Sequence, residues 1–186
     1  MIDRIDYLLS DRDFATDFAD LLRKYLGRRR TDVICGFPGL GKSSAAGKHI
    51  ADLDSADFMG PNRWEDYERA IKEQIGKANY ILVSCHPETR ATLKNLGIHY
   101  YIAYPDRSLK EEYLERYRKR GDSIEFTNLL SNNFDYFIDS IESDDYEDCT
   151  KIRIVKPGRY VKDVIDVISK LKSENSNYDP SWFMIS

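Results

Sequence analysis

The sequence predicts an α/β fold built on a parallel sheet, and three observations lead there. Short apolar runs alternate with segments of helical period along most of the chain, the rhythm of βα units. The length of 186 residues suits one compact domain. The first apolar run, "TDVIC" at 31–35, leads into a glycine-rich loop and then a helical segment.

The elements follow in order. Residues 3–27 carry Leu8, Leu9, Phe14, Phe18, Leu21, Leu22 and Tyr25 at helical spacing. They form a helical extension, 1–30, expected to pack on the main domain or on a second subunit of a homodimer. The main domain is placed at 31–172. After the first strand a short helix begins near Lys42 and fades by Lys48. "HIADL" reads as the second strand and ends in "DLDS". A helix covers about 62–77, with Trp64, Tyr67 and Ile71 on one side. "YILVS", 80–84, is the most buried-looking strand. "PETRATLKNLG" is a helix, with Pro87 at its start and Gly97 past its end. "IHYYIAY", 98–104, is the fourth strand. In "DRSLKEEYLERYRKRG", Asp106 or Ser108 caps a helix that Gly121 stops. One further helix covers about 124–142, "KIRIV" at 151–155 is the last strand, and 159–172 the last helix. The tail, 173–186, has no periodicity and is expected to be irregular.

Composition narrows the function. Apolar residues make up 41%, enough for a core, and the charges are interspersed, which argues against wholesale disorder. The formal charge is −4, so the basic clusters at 28–30 and 116–120 sit on an acidic background. That weighs against extended duplex nucleic acid and leaves a small anionic substrate open. The three cysteines, Cys35, Cys85 and Cys149, are widely spaced and read as reduced cytosolic thiols. No apolar run approaches the roughly 18 residues of a membrane span. The N-terminus is too acidic and polar for a secretory signal. The expectation is a cytoplasmic protein with no membrane partner.

The chemistry concentrates in "GFPGLGKSS", 36–44. Gly36 to Ser43 fits G-x-x-x-x-G-K-[ST], between a strand and a helix as that motif requires. Glycines let the backbone turn and approach a ligand without a Cβ in the way. Gly36, Phe37, Pro38, Gly39, Leu40 and Gly41 make up a loop whose N–H groups, Pro38 having none, are expected to converge on one point, and the helix start adds its dipole. A triphosphate suits that point. Lys42 would reach the β- and γ-phosphates, Ser43 would hold Mg²⁺, and Ser44 could donate to the α-phosphate. Asp52 and Asp54 stand two apart after the second strand and face the same way on an extended segment. No N-K-x-D guanine signature is present, and "YILVS" ends in Ser84 rather than in an acid.

With these residues the chain resembles the P-loop nucleoside and nucleotide kinases, including small nucleotide kinases of phages and prophages. "GFPGLGKSS", "DLDSADF", "ILVSCHPETR", "YPDRSLKEEYLERYRKRG" and "KPGRY" carry the resemblance over about 31–172. It implies a three-layer P-loop NTPase fold, a five-stranded parallel sheet ordered 2-3-1-4-5, and a helical lid, placed at about 108–125. It implies ATP and Mg²⁺, and a carboxylate, Asp52 or Asp54, that orients the acceptor hydroxyl or a Mg²⁺-bound water. Arg116 and Arg120, four apart on one helix face, would neutralise charge on the transferred group. Glu112–Arg116 and Glu115–Lys119 equally form ordinary helix ion pairs. Phe58, Arg63, Trp64 and Tyr67 would wall the acceptor, with Ser84, His86 and Arg90 on the same rim. Pro157 and Gly158 in "KPGRY" would touch adenine through their backbone. Only eight residues separate Ser43 from Asp52, so the helix after the loop should be about two turns long.

These readings make the protein a phosphotransferase acting on a nucleoside or (deoxy)nucleoside monophosphate. Two rivals stand beside it: a kinase of nucleic-acid ends, modified bases or sugar nucleotides, and a nucleotide-binding regulatory module without catalysis.

Overall fold

A computed structural model describes residues 31–145, 147–173 and 182–185. The amphipathic segment at 3–27 lies outside the described residues. Five parallel strands run in the predicted order: β2 (Ile50–Leu53), β3 (Tyr80–Ser84), β1 (Asp32–Gly36), β4 (Tyr100–Pro105) and β5 (Cys149–Ile154). The central β1 pairs with β3 on one side and β4 on the other. Strands covered on both faces read as unbroken apolar runs, and Val33, Ile34, Cys35, Ile81, Leu82 and Val83 are all buried.

The tail was expected to be irregular, and here the structure differs. A sixth strand, β6 (Trp182–Ile185), adds in parallel to β5, with Lys151 opposite Trp182 and Ile154 opposite Ile185. An edge strand offers a row of unpaired backbone groups, and four consecutive apolar residues are too few to show a period.

Seven α-helices flank the strands among the described residues: α1 (Lys42–Ala45), α2 (Arg63–Gln74), α3 (Pro87–Asn95), α4 (Lys110–Arg120), α5 (Ile124–Asn132), α6 (Phe134–Glu142) and α7 (Val161–Ser173). Two differ from expectation. Helix α1 has a single turn rather than two, because Ala46 leaves the helix at φ −55°, ψ 143° and Gly47 bonds with Ile50 in both directions. The helix expected at 124–142 breaks at Asn133, whose side-chain amide donates to the Leu129 carbonyl at 2.8 Å. Asn competes with backbone bonding in this way. The break lets Phe134 turn inward to meet Phe37, ring centroids 5.4 Å apart.

Candidate active site

The carboxyl end of β1 lies at the point where the chain departs toward β3 on one side and β4 on the other, where ligands of open α/β sheets bind. The glycine loop starts there and is fastened at both ends. Phe37 donates its amide to Ala103 O at 3.0 Å, and Leu40 O accepts from Val161 at 2.9 Å. The Phe37 and Leu40 side chains are fully buried. They anchor the loop, and their amides, expected to face a ligand, are spent inside the protein, Phe37 N on Ala103 O and Leu40 N on Phe37 O at 3.1 Å.

Between these anchors, Gly39 and Gly41 adopt φ of 79° and 85°, the left-handed region that glycine favours. A Cβ on Gly39 would stand 2.7 Å from Tyr117 Cε1. A Cβ on Gly36 would stand 3.0 Å from Lys42 Cδ, in the space the lysine stem uses. Lys42 Nζ turns back over the loop and donates to Gly36 O at 3.4 Å. Ser43 is exposed, and the Ser44 hydroxyl donates to Gly41 O at 2.8 Å. Because α1 has one turn, the helix dipole adds little at this site. The loop's side of the site is therefore formed by the backbone of Gly36, Pro38 and Gly39 and by Lys42.

Helix α4, within the segment expected as a lid, packs hard against this loop. Tyr113 and Tyr117 are buried, and the Tyr117 hydroxyl donates to Pro38 O at 2.9 Å. Arg116, with its side chain 9% exposed, lies between the rings of Tyr113 and Tyr160, with Cζ 4.4 and 4.2 Å from their centroids. Its donors reach Glu112, Gly39 O and Arg159 O. Glu112 also accepts from the Gly158 amide at 2.8 Å, so the loop holding Pro157 and Gly158 is pinned to α4 beside the glycine loop. Arg120 behaves differently. Its guanidinium bonds Asp122, yet the side chain borders the open space over the loop.

That space is a cavity of about 320 Å³. Gly36, Pro38, Gly39 and Lys42 line one end, and Asp54, Arg63, Ser84, His86, Arg90 and Arg120 surround it. The two acids part company. Asp54 borders the cavity while its Oδ1 accepts from Ala56 N at 3.0 Å, capping the short turn Ser55–Asp57. Asp52 lies within β2 opposite Leu82, and its buried Oδ1 has no hydrogen-bond partner among the described residues.

The expected aromatic wall is mostly a packing cluster. Tyr67 is buried, and its hydroxyl donates to Leu53 O at 2.9 Å and accepts from Ser84 N at 3.1 Å, closing the gap between β2 and β3. Phe58 and Trp64 pack on Tyr67, at centroid distances of 5.0 and 6.1 Å. Arg63 leans on Trp64, with Cζ 4.5 Å from the ring centroid, and reaches the cavity. Ser84 Oγ meets Thr89 Oγ1 at 3.1 Å. Arg90 is 3% exposed and commits Nε to Asp144, Nη1 to Cys85 O at 2.6 Å, and Nη2 to Ser140 O and Oγ at 3.0 and 2.8 Å. Burial lowers the His86 pKa from its ordinary value, against an opposing pull from Glu88, so the ring at the rim is neutral at pH 7.

Sequence reasoning missed the far wall. Phe126, Leu129 and Leu130 of α5, with Tyr136, Phe137 and Ser140 of α6, complete the cavity. Phe126, Leu129 and Leu130 stand at i, i+3 and i+4, a period that ordinary core packing also produces. Among the described residues no helix is long and apolar enough to cross a membrane.

The sequence matches no protein-family model and no curated protein. Among solved structures the chain is similar to the Deinococcus radiodurans tunicamycin resistance protein, with a TM-score of 0.51 and 14% identity, over 82% of this chain and 100% of that one. At that identity the likeness concerns the fold alone, an α/β parallel sheet with its first five strands ordered 2-3-1-4-5.

Proposed function

We propose that the chain is an ATP- and Mg²⁺-dependent phosphotransferase acting on a small acceptor, a nucleoside at its hydroxyl or a (deoxy)nucleoside monophosphate at its phosphate oxygen. One observation carries this reading: the glycine loop with Lys42 and the rim bearing Asp54, Ser84 and Arg120 open onto the same cavity. A donor phosphate and an acceptor would therefore meet in one enclosed space, and kinases gain chiefly from positioning and electrostatics.

The residues fit the nucleotide and its metal. Gly36, Gly39 and Gly41 keep the loop clear of side chains where a Cβ would collide. The first-turn amides of Lys42 and Ser43 have no intrahelical acceptor. ATP with Mg²⁺ supplies the phosphoryl group and part of the counter-charge. Lys42 would bind the β- and γ-phosphates, and Ser43 would hold the metal together with phosphate and water oxygens; Asp52, held within β2 away from the cavity border, is not given that role. Asp54 orients the acceptor hydroxyl and takes its proton, and Arg120 offsets charge on the transferred group. Arg116 keeps the loop in place.

The test is Lys42→Ala. Acceptor-dependent ADP release should disappear with the melting temperature unchanged. Retained turnover would overturn the proposal.

A further inference from the structure

The phosphotransfer reading leaves the acceptor's chemistry open between a neutral nucleoside and a charged monophosphate. Resting on that reading, we infer that the acceptor is an uncharged hydroxyl compound with an aromatic or branched aliphatic body, and that α5 and α6 recognise that body.

The first argument is the far wall. Phe126, Leu129 and Tyr136 border the cavity yet remain 40%, 52% and 68% exposed. Large apolar groups left open at the rim of a concave site mark a ligand's apolar face. The wall is also held still. Phe134 packs on Phe37 at the start of the glycine loop, and Arg107 bonds Asp139 and Glu142 from the next layer. A fixed apolar surface facing a phosphate cup is suited to orienting an apolar body whose hydroxyl points at the cup.

The second argument is the charge inventory. A phosphate monoester carries a charge of about −2 and is usually gripped by bidentate guanidinium forks. Among the described residues four cations border the cavity: Lys42, Arg63, Arg90 and Arg120. Lys42 belongs to the glycine loop. Arg90 spends four of its hydrogen bonds inside the protein, on Asp144, Cys85 O and Ser140. Arg120, paired with Asp122, is already committed in the phosphotransfer reading to the transferred group. Arg63 remains, leaning on Trp64. One stacked guanidinium is a poor clamp for a second phosphate, whereas a neutral body meets no uncompensated charge.

The step balances without a further reactant. The acceptor's hydroxyl oxygen bonds to the γ-phosphorus as the bond from that phosphorus to the β,γ-bridging oxygen breaks. The bridging oxygen leaves on ADP with the electron pair, and the hydroxyl proton passes to the Asp54 carboxylate.

The experiment pairs compounds. Neutral aromatic and branched aliphatic alcohols are each assayed beside their own phosphate monoesters, and nucleosides beside their 5′-monophosphates. ADP release is measured with ATP and magnesium, and ATP binding is titrated on the same samples. The alcohol or nucleoside member of a pair should exceed its phosphorylated partner by about tenfold or more, as expected when only one charge state suits a pocket. Leu129→Asp and Phe126→Ser, both at exposed positions, should raise the acceptor KM by about tenfold while leaving the ATP KM and the melting temperature unchanged. Turnover confined to monophosphates, turnover with none of the compounds, or wall variants with an unchanged acceptor KM would each overturn the inference. If ATP still binds in those cases, the fault lies with the acceptor assignment. If ATP does not bind, the phosphotransfer reading falls as well.

Discussion

Arg116 Nη1 donates to the Gly39 carbonyl at 3.1 Å, joining α4 to the glycine loop. Through Nη2 the same guanidinium reaches Arg159 O at 2.8 Å and Glu112 at 2.6 Å. One side chain thus ties three segments that are distant in sequence, with a tyrosine ring on each side. In this arrangement Arg116 braces the loop, and of the two α4 arginines expected at the site only Arg120 borders the cavity.

Replacing Arg116 with lysine removes the planar fork and its stacking while keeping the charge. Stability should fall by about 2 kcal/mol, as for lost hydrogen bonds to a charged group. The kcat/KM for ATP should drop by about 100-fold, the scale of a small misplacement of a positioning element. Urea denaturation and steady-state kinetics read the two effects. Unchanged kinetics would remove the positioning role.

Gly39→Ala tests the loop's geometry. The left-handed backbone costs an L-residue about 1–2 kcal/mol, and the added methyl would stand 2.7 Å from the Tyr117 ring. Nucleotide affinity should fall together with the melting temperature. Tyr117→Phe, which loses only the hydroxyl bond to Pro38 O, should cost about 1 kcal/mol. Thermal melts with and without ATP distinguish the two variants.

Arg90→Ala should destabilise the fold by about 3–5 kcal/mol, because it strands a carboxylate that is mostly buried. The double variant Arg90→Met, Asp144→Leu should recover most of that loss. Chemical denaturation of the three proteins provides the measurement. A marginal effect of Arg90→Ala on stability, with a large effect on acceptor KM, would show that the guanidinium serves the acceptor instead.

His86 gives a pH signature. Burial lowers its folded pKa, so on acidification the unfolded chain takes up this proton before the folded one does. Stability is therefore lost as pH falls from the ordinary histidine value of about 6.5 toward the lower folded value, and levels off below it. His86→Gln should flatten that part of the profile. Urea melts between neutral and mildly acidic pH check this, and an identical slope in both proteins would reject it.

The glycine loop was readable because its demands are local. Positive φ at Gly39 and Gly41, and clearance for the Lys42 stem, restrict residue type at fixed spacing. The strands were readable because burial on both faces forces continuous apolar runs. The partners of Arg90 and Arg116 were not readable. A guanidinium that grips phosphate and one that braces a backbone carbonyl have the same local sequence. Asp52 and Asp54 share a parity on the strand, yet only Asp54 reaches the cavity border, because the chain turns at Ser55–Asp57.

By itself the sequence determined the parallel sheet, the glycine loop after its first strand, and the lysine and serine that follow. Each of these depends on neighbours a few residues away or on a simple apolar period. Only the tertiary structure decided that α4 braces the loop, that β6 extends the sheet, and that α5 and α6 close the cavity. Those outcomes depend on contacts between segments far apart in the chain, where a carbonyl or a ring accepts many different partners and the choice is made by what packing brings within reach.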